Sequence, residues 1–147
     1  MKPKNNFSFL IIIVFVVAGF LLLSHTTSEI KTVKIGGQII KVELVQTLEA
    51  QAQGLSGRTG LAQDTGMLFV FSGPGEYDFW MKDMKFPLDM IWIGDDLHVI
   101  YIQKNATPRS YPATFGPAQD AKYVLEVNAG FADVHNVKTG DSVQFGY

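Results

Sequence analysis

The 147-residue chain contains no cysteine. That excludes disulfides, thiol nucleophiles, cysteine-ligated zinc and a cysteine-linked lipid anchor, so its core alone must hold the fold. Basic residues are sparse and scattered: beyond residue 28, ten Lys and Arg face fourteen Asp and Glu, and none of the ten form a cluster. Nucleic acid is therefore not an expected partner, since neutralising phosphates takes grouped cations. Histidine is also scarce. His25, His98 and His135 lack ligand spacing to one another or to an acid, so no metal site is expected. No serine stands in a G-x-S-x-G elbow, and the glycine-rich "GLSGRTG" at 54–60 lacks the G-K-[ST] of a phosphate-binding loop. Neither hydrolase nucleophile nor nucleotide cradle has support, and no cofactor is expected.

What the chain does have is most legible at its N-terminus. Lys2 and Lys4 precede "FSFLIIIVFVVAGFLLL", Phe7 to Leu23, which carries one hydroxyl and no charge over 17 residues. That is near the lower end of the roughly 17 to 25 residues that span a bilayer, and slightly long for a cleaved signal core. Lysines before the segment and none directly after it orient the following chain away from the cytoplasm. Residues 1–28 are thus read as a transmembrane anchor or signal segment. The anchor is preferred because Ser24, Thr26 and Ser28 are small but no A-x-A cleavage motif is present. The expected location is the cell membrane, single-pass with the remainder extracytoplasmic, or secreted or periplasmic if the segment is cleaved.

Residues 29–147 have the size of one domain. Their apolar period is mostly two. "IKTVKI" (30–35) and "IIKVELV" (39–45) flank Gly36-Gly37, the residues a tight hairpin turn demands, and Ile40, Val42 and Leu44 share a face opposite Lys41 and Glu43. Thr47 is placed to cap one helix, "LEAQAQGL", with Glu49 favoured in its first turn. Short apolar runs follow at 66–71, 77–82, 87–93, 97–104, 122–127 and 141–147, rich in aromatic and β-branched residues and bounded by Gly, Pro or Asp. Residues 105–121 hold three prolines and read as one long loop. Seven or eight short strands and one short helix predict a mainly β domain, a β-sandwich or barrel.

The polar residues inside these runs are the candidates for chemistry. In "YDFWMK", Tyr77, Phe79 and Met81 share one face, leaving Asp78, Trp80 and Lys82 on the other. In "PLDMIWI", Asp89 shares an otherwise apolar face with Ile91 and Ile93, so it needs a cation or several hydrogen-bond donors. Lys82, Lys85 and Arg58 are the available cations. The expectation for Asp89 is a structural tie beside Pro87, with a ligand or catalytic role as the alternative. Glu126, between apolar neighbours in "VLEV", would share a face with Val124 and pair with Arg58 or Lys82. Tyr111 and Phe115 in the long loop are the aromatic residues most expected at the surface.

"GMLFVF", "FWMK", "PLDMIWI" and "YVLEVNAG" resemble, in order and spacing, domain-of-unknown-function family 192 (DUF192), small prokaryotic proteins that often carry an N-terminal signal or membrane segment. The resemblance spans roughly residues 30 to 146. It implies a β-sandwich of jelly-roll type and brings no established activity or cofactor. Ser56-Gly57 stand where the family typically has Met-Phe, and Asp83-Met84 where Asn-Thr usually follows the lysine matched by Lys82. The second change adds a negative charge beside that lysine.

Two functional classes follow. The first is a tethered binding or accessory module for a small polar or anionic ligand, such as a saccharide. Its ligand-binding set would be Arg58, Trp80, Lys82, Asp83, Asp89, Tyr111 and Glu126, with the guanidinium forking onto an anion and a ring packing against an apolar ligand face. The second is a cell-envelope glycan hydrolase with acid and base drawn from Asp83, Asp89 and Glu126. A scaffold in an envelope protein complex, resting on Tyr111 and Phe115, is a further alternative.

Overall fold

The computed structural model describes residues 29–147. The proposed membrane segment, residues 1–28, lies outside the described residues. Within them, no helix is long and apolar enough to cross a membrane.

The glycine pair forms the expected turn. Gly36 and Gly37 have φ of 56° and 77°, the double positive that a two-residue hairpin loop uses. They join β1 (Thr32–Ile35) to β2 (Gln38–Val45) in an antiparallel ladder. Thr47 caps α1 (Leu48–Gln53), its hydroxyl accepting from the Ala50 N–H, and Gly54 at φ 48° ends the helix. The chain re-enters the sheet as β3 (Thr65–Gly75), parallel to β2. It then runs through β4 (Phe79–Trp80), β5 (Leu88–Ile93), β6 (Val99–Ala106), a short 3₁₀ turn at Pro108–Ser110, β7 (Thr114–Phe115) and β8 (Ala121–Asn128). A second helix, α2 (Phe131–Val134), precedes the last strand, β9 (Gln144–Gly146).

Seven strands form one sheet in the order β6-β5-β8-β3-β2-β1-β9, and β4 pairs with β7 in a separate ribbon. The protein is therefore mainly β, with one large mixed sheet rather than two large sheets face to face. Among the described residues there are two short helices where the sequence predicted one. The edges of the sheet approach one another at an isolated bridge between His98 and Ser142, but no ladder continues from it, so the sheet curls without closing into a barrel.

Both faces of the sheet are covered. Alternate residues of β5 feed two cores: Ile91 and Ile93 join Val33, Leu68, Leu125 and Val127 on one side, and Leu88, Met90 and Trp92 join Met67, Phe69 and Val124 on the other. All six residues of β5 are buried, which explains a sequence run with no solvent-facing position. Phe79 and Met81 pack into the second core as their alternation predicted. The segment 77–82, however, forms only a two-residue strand, because its partner β7 is itself two residues long.

Candidate functional site

Where the second core meets solvent, a cleft of about 270 Å³ opens between α1 with its following loop and the β3–β4 connection. The wall on the strand side is aromatic. Phe71 and Tyr77 stack with ring centres 3.5 Å apart, and Phe79 meets Phe69 and Trp92 edge-on at 4.8 and 5.6 Å. Backbone bonds fix this wall: the buried Trp92 indole N–H donates to the Tyr77 carbonyl at 2.8 Å, and the Tyr77 hydroxyl donates to the Gly73 carbonyl at 2.7 Å. On the other side, Gln51 donates to the Val70 carbonyl, Ser56 Oγ to the Lys82 carbonyl and the Gly57 N–H to the Asp83 carbonyl. The helix and its loop are thereby tied across both ends of the cleft. Gly54 lies flush on Phe69, where a Cβ would sit 3.3 Å from the ring.

Glu126 lines this cleft from the interior strand β8, opposite Met67 and Met90 in the flanking strands β3 and β5. It shares the face of Val124 as expected, is only 5 % exposed, and its Oε2 is buried with no hydrogen-bond partner among the described residues. Burial pushes its carboxyl up to about 8, against a smaller opposing pull from the Arg58 guanidinium. The expected ion pair with Arg58 or Lys82 does not form. Arg58 instead makes a bidentate bond to Glu43, both contacts at 2.7 Å, on the partly exposed surface beside β2. That bond holds the Glu43 carboxyl below its ordinary value and raises Arg58. Arg58 is thus spent on a nearer carboxylate and reaches Glu126 only through its field.

Asp89 is separated from the cleft altogether. Paired with Val127 while Met90 pairs with Glu126, it belongs to the opposite face of the sheet. Fully buried, its Oδ1 accepts from the Asn105 N–H and its Oδ2 from the Ala132 N–H, each at 2.8 Å. It ties the end of β6 to the first turn of α2, and needs no cation because two backbone donors serve it. The two carboxyls therefore lie on opposite sides of a β-sheet, which removes them as the acid and base of one glycosidase site.

Trp80, Lys82 and Asp83 line an outer extension of the cleft that shares Ala52, Gln53, Ser56 and Trp80 with its inner part. Trp80 is half exposed, with the Lys82 ammonium 5.7 Å from its ring centre and Tyr111 edge-on at 6.0 Å. Asp83 has φ of 56°, a left-handed conformation that Asp and Asn adopt more readily than other side chains. That accounts for an aspartate where the family resemblance has asparagine. Of the seven residues picked from sequence, Trp80, Lys82, Asp83 and Glu126 line the cleft or its outer extension, Tyr111 touches it only through Trp80, Arg58 lies beside it, and Asp89 lies behind the sheet. Phe115 is partly buried against the second core rather than displayed.

The sequence reading missed Gln51, Phe71 and Glu76 as lining residues, and it set Asp78 on the face of Trp80 and Lys82 without counting it in the ligand-binding set. A signal existed for the rings, since Phe71, Tyr77 and Phe79 keep alternate spacing on either side of the "SGPGE" turn. None existed for Glu76, which reaches the cleft only because the chain folds back between β3 and β4. Among the described residues no group of three or more His, Asp or Glu is arranged to hold a metal.

The comparisons with known proteins agree with one another. The DUF192 family model, described as an uncharacterized ACR, matches residues 31–145. A solved structure of a protein of unknown function from Novosphingobium aromaticivorans DSM 12444 is 35 % identical, covers 82 % of this chain and 89 % of its own, and superposes with a TM-score of 0.74. A second, from Sinorhizobium meliloti 1021 and provisionally described as a transcription regulator, is 34 % identical, covers 78 % of this chain and 92 % of its own, with a TM-score of 0.72. No curated protein matches. With a family model covering most of the chain and a shared fold in both relatives, this protein belongs to the DUF192 family.

Proposed function

We propose that residues 29–147 form a small-molecule-binding module held on the outer side of the cell membrane by the apolar segment at 7–23. One observation carries the binding reading: a buried carboxyl that lines an aromatic-walled cleft and has one oxygen without a partner among the described residues. A buried polar atom left without a partner costs about 1–3 kcal/mol, and a ligand donor or acceptor would relieve that cost. The cleft's volume of about 270 Å³ lies just below the range of roughly 300–1,000 Å³ typical of drug-sized ligands, which suits a molecule the size of one sugar ring. Rings on one wall and amide and carboxyl groups elsewhere suit a ligand with an apolar face and a polar edge, as a saccharide has. An anion is disfavoured, because Glu76, Asp78 and Glu126 line the inner cleft and no Lys, Arg or His does.

Thermal unfolding of the purified full-length protein in detergent, against sugars, amines, nucleotides and organic anions, tests this. A ligand that binds only the folded state raises Tm with concentration. Trp80→Ala and Glu126→Gln should remove the shift while the protein still unfolds cooperatively. A panel without a single shift would favour the scaffold reading. The membrane placement rests on Lys2, Lys4 and the uncharged run after them. With no native cysteine, a Ser72→Cys variant reports the side directly. A membrane-impermeant maleimide should label it in intact spheroplasts, and labelling only after lysis would overturn the placement.

A further inference from the structure

The charges around the cleft narrow the ligand class. We infer that the ligand of this site carries a positively charged nitrogen, so that the cleft is an organic-ammonium site with Glu126 as the counter-charge. This rests on the small-molecule reading above and adds the sign of the ligand's charge.

Three independent features point the same way. First, the exposed acids Glu76 and Asp78 are among the residues that line the cleft, while α1 contributes only the uncharged Gln51, Ala52 and Gln53. Among the described residues no positive group lines the inner cleft to compensate them, and a concave site lined by one sign of charge concentrates the opposite ion. Second, Glu126 lines the cleft, and its Oε2 is buried with no hydrogen-bond partner among the described residues. A carboxylate taken out of water is stable only when paired, and the cation that might have paired with it, Arg58, is bound to Glu43. Third, the walls are aromatic rings, whose faces attract ammonium groups most strongly where water is excluded. An anionic ligand would meet Glu76 and Asp78 with no cation facing it, and a neutral one would give the buried carboxyl no counter-charge against which to ionise.

Binding then moves a proton. The free site holds Glu126 protonated near neutral pH, because burial keeps its carboxyl up at about 8. An ammonium arriving beside it favours the carboxylate, so one proton leaves Glu126 for solvent and the cation takes its place. The charged groups bearing on that equilibrium are Arg58 from the loop after α1, Glu76 and Asp78 from the β3–β4 connection, and Lys82 and Asp83 at the outer mouth.

The test uses full-length protein in detergent and compounds of similar size: choline, whose charge is fixed, its uncharged isostere 3,3-dimethylbutan-1-ol, ethanolamine as a primary ammonium, and glucose. Titration calorimetry in buffers of different ionisation enthalpy reads affinity and proton release together. Choline or ethanolamine should bind at least about tenfold more tightly than the neutral isostere, release up to about one proton at neutral pH, and gain close to tenfold in affinity for each unit that pH rises towards 8. Glu126→Gln should abolish the proton release and weaken the cation by more than about tenfold, and Asp78→Asn, a change at the margin, should weaken it by a smaller factor. If glucose or the isostere binds as tightly as choline with no proton released, the cation assignment fails and the binding module stands. If none of the four binds at about 10 mM, the cation assignment fails, and the thermal panel decides the binding reading separately.

Discussion

Replacing Glu126 by glutamine should change stability by an amount that grows with pH. In the unfolded chain the carboxyl ionises near its ordinary value of 4.5, while in the fold it stays protonated up to about 8. Between those values the native state holds a proton that the unfolded state has lost, so the native state loses ground as pH rises. The contribution is fully present below about 4.5 and gone above about 8. Each pH unit in that window costs about 1.4 kcal/mol, or about 5 kcal/mol across it. Glutamine keeps the shape and the polar end but cannot ionise. At pH 4.5 the two proteins should therefore differ by no more than about 1 kcal/mol, and above pH 8 the variant should be ahead by about 5 kcal/mol. With an unfolding slope of about 2 kcal/mol per molar urea, that is a midpoint difference growing to about 2–3 M. Urea melts of both proteins at several pH values supply the check, since every other titrating group cancels in the difference. Parallel profiles would refute the assignment, because they would mean that Glu126 ionises alike in both states.

Three further substitutions probe the frame around the cleft. Asp89→Ala should lower stability by about 2–5 kcal/mol in thermal or urea unfolding, since the N–H groups of Asn105 and Ala132 both lose their acceptor, yet ligand binding should survive wherever the variant is folded. Arg58→Ala should cost no more than about 1 kcal/mol, because its pair with Glu43 is substantially exposed, and it should move the Glu126 titration to higher pH by removing an opposing field. Gly66→Ala should destabilise by about 1–3 kcal/mol, as its Cβ would lie 2.9 Å from the Glu126 carbonyl oxygen and 3.1 Å from Leu125 Cδ1 in an adjoining strand. Calorimetric melting resolves all three.

Local chemistry was readable where it decided the outcome. The Thr47 cap, the Gly36-Gly37 turn and the face assignments in 39–45 and 87–93 depend on neighbours a few residues away, and they stand in the structure as read. Failures came where the deciding partner is distant. Alternation alone could place Asp89 and Glu126 on the faces of their own strands. Only the register that sets Asp89 against Val127 and Met90 against Glu126 shows those faces to be opposite. Arg58 chose Glu43 because β2 happens to run beside the loop after α1, a proximity no spacing rule announces. Helix α2 went unseen because four residues carry too little periodicity to register; it is anchored by Asp89 at Ala132 and by a Lys104–Asp133 ion pair, both from elsewhere in the chain. The jelly-roll expectation came from the family resemblance, and the parallel β2–β3 pairing and single large sheet depart from it.

The position of the cleft follows from an imbalance in how the two sheet faces are covered. On one face the curl of the sheet brings β1, β5, β8 and the segment at 137–143 around a common core, so the sheet largely covers itself. The other face must be roofed by separate pieces, and its main roof is a helix of six residues with none buried. Such a helix is only about 9 Å long. It is held down from its ends, by Gln51 reaching the Val70 carbonyl and by Leu55 entering the core just beyond it, instead of by an apolar face of its own. A roof that short cannot reach across the width of three strands spaced about 4.8 Å apart together with the ribbon beside them. The gap falls over β8, an interior strand between β5 and β3, and at that gap the sequence places a glutamate between Leu125 and Val127 where an apolar residue would have packed at no electrostatic cost. An ionisable group retained under an incomplete roof, in a sheet otherwise built from apolar alternation, makes sense physically as a group that meets something from solution.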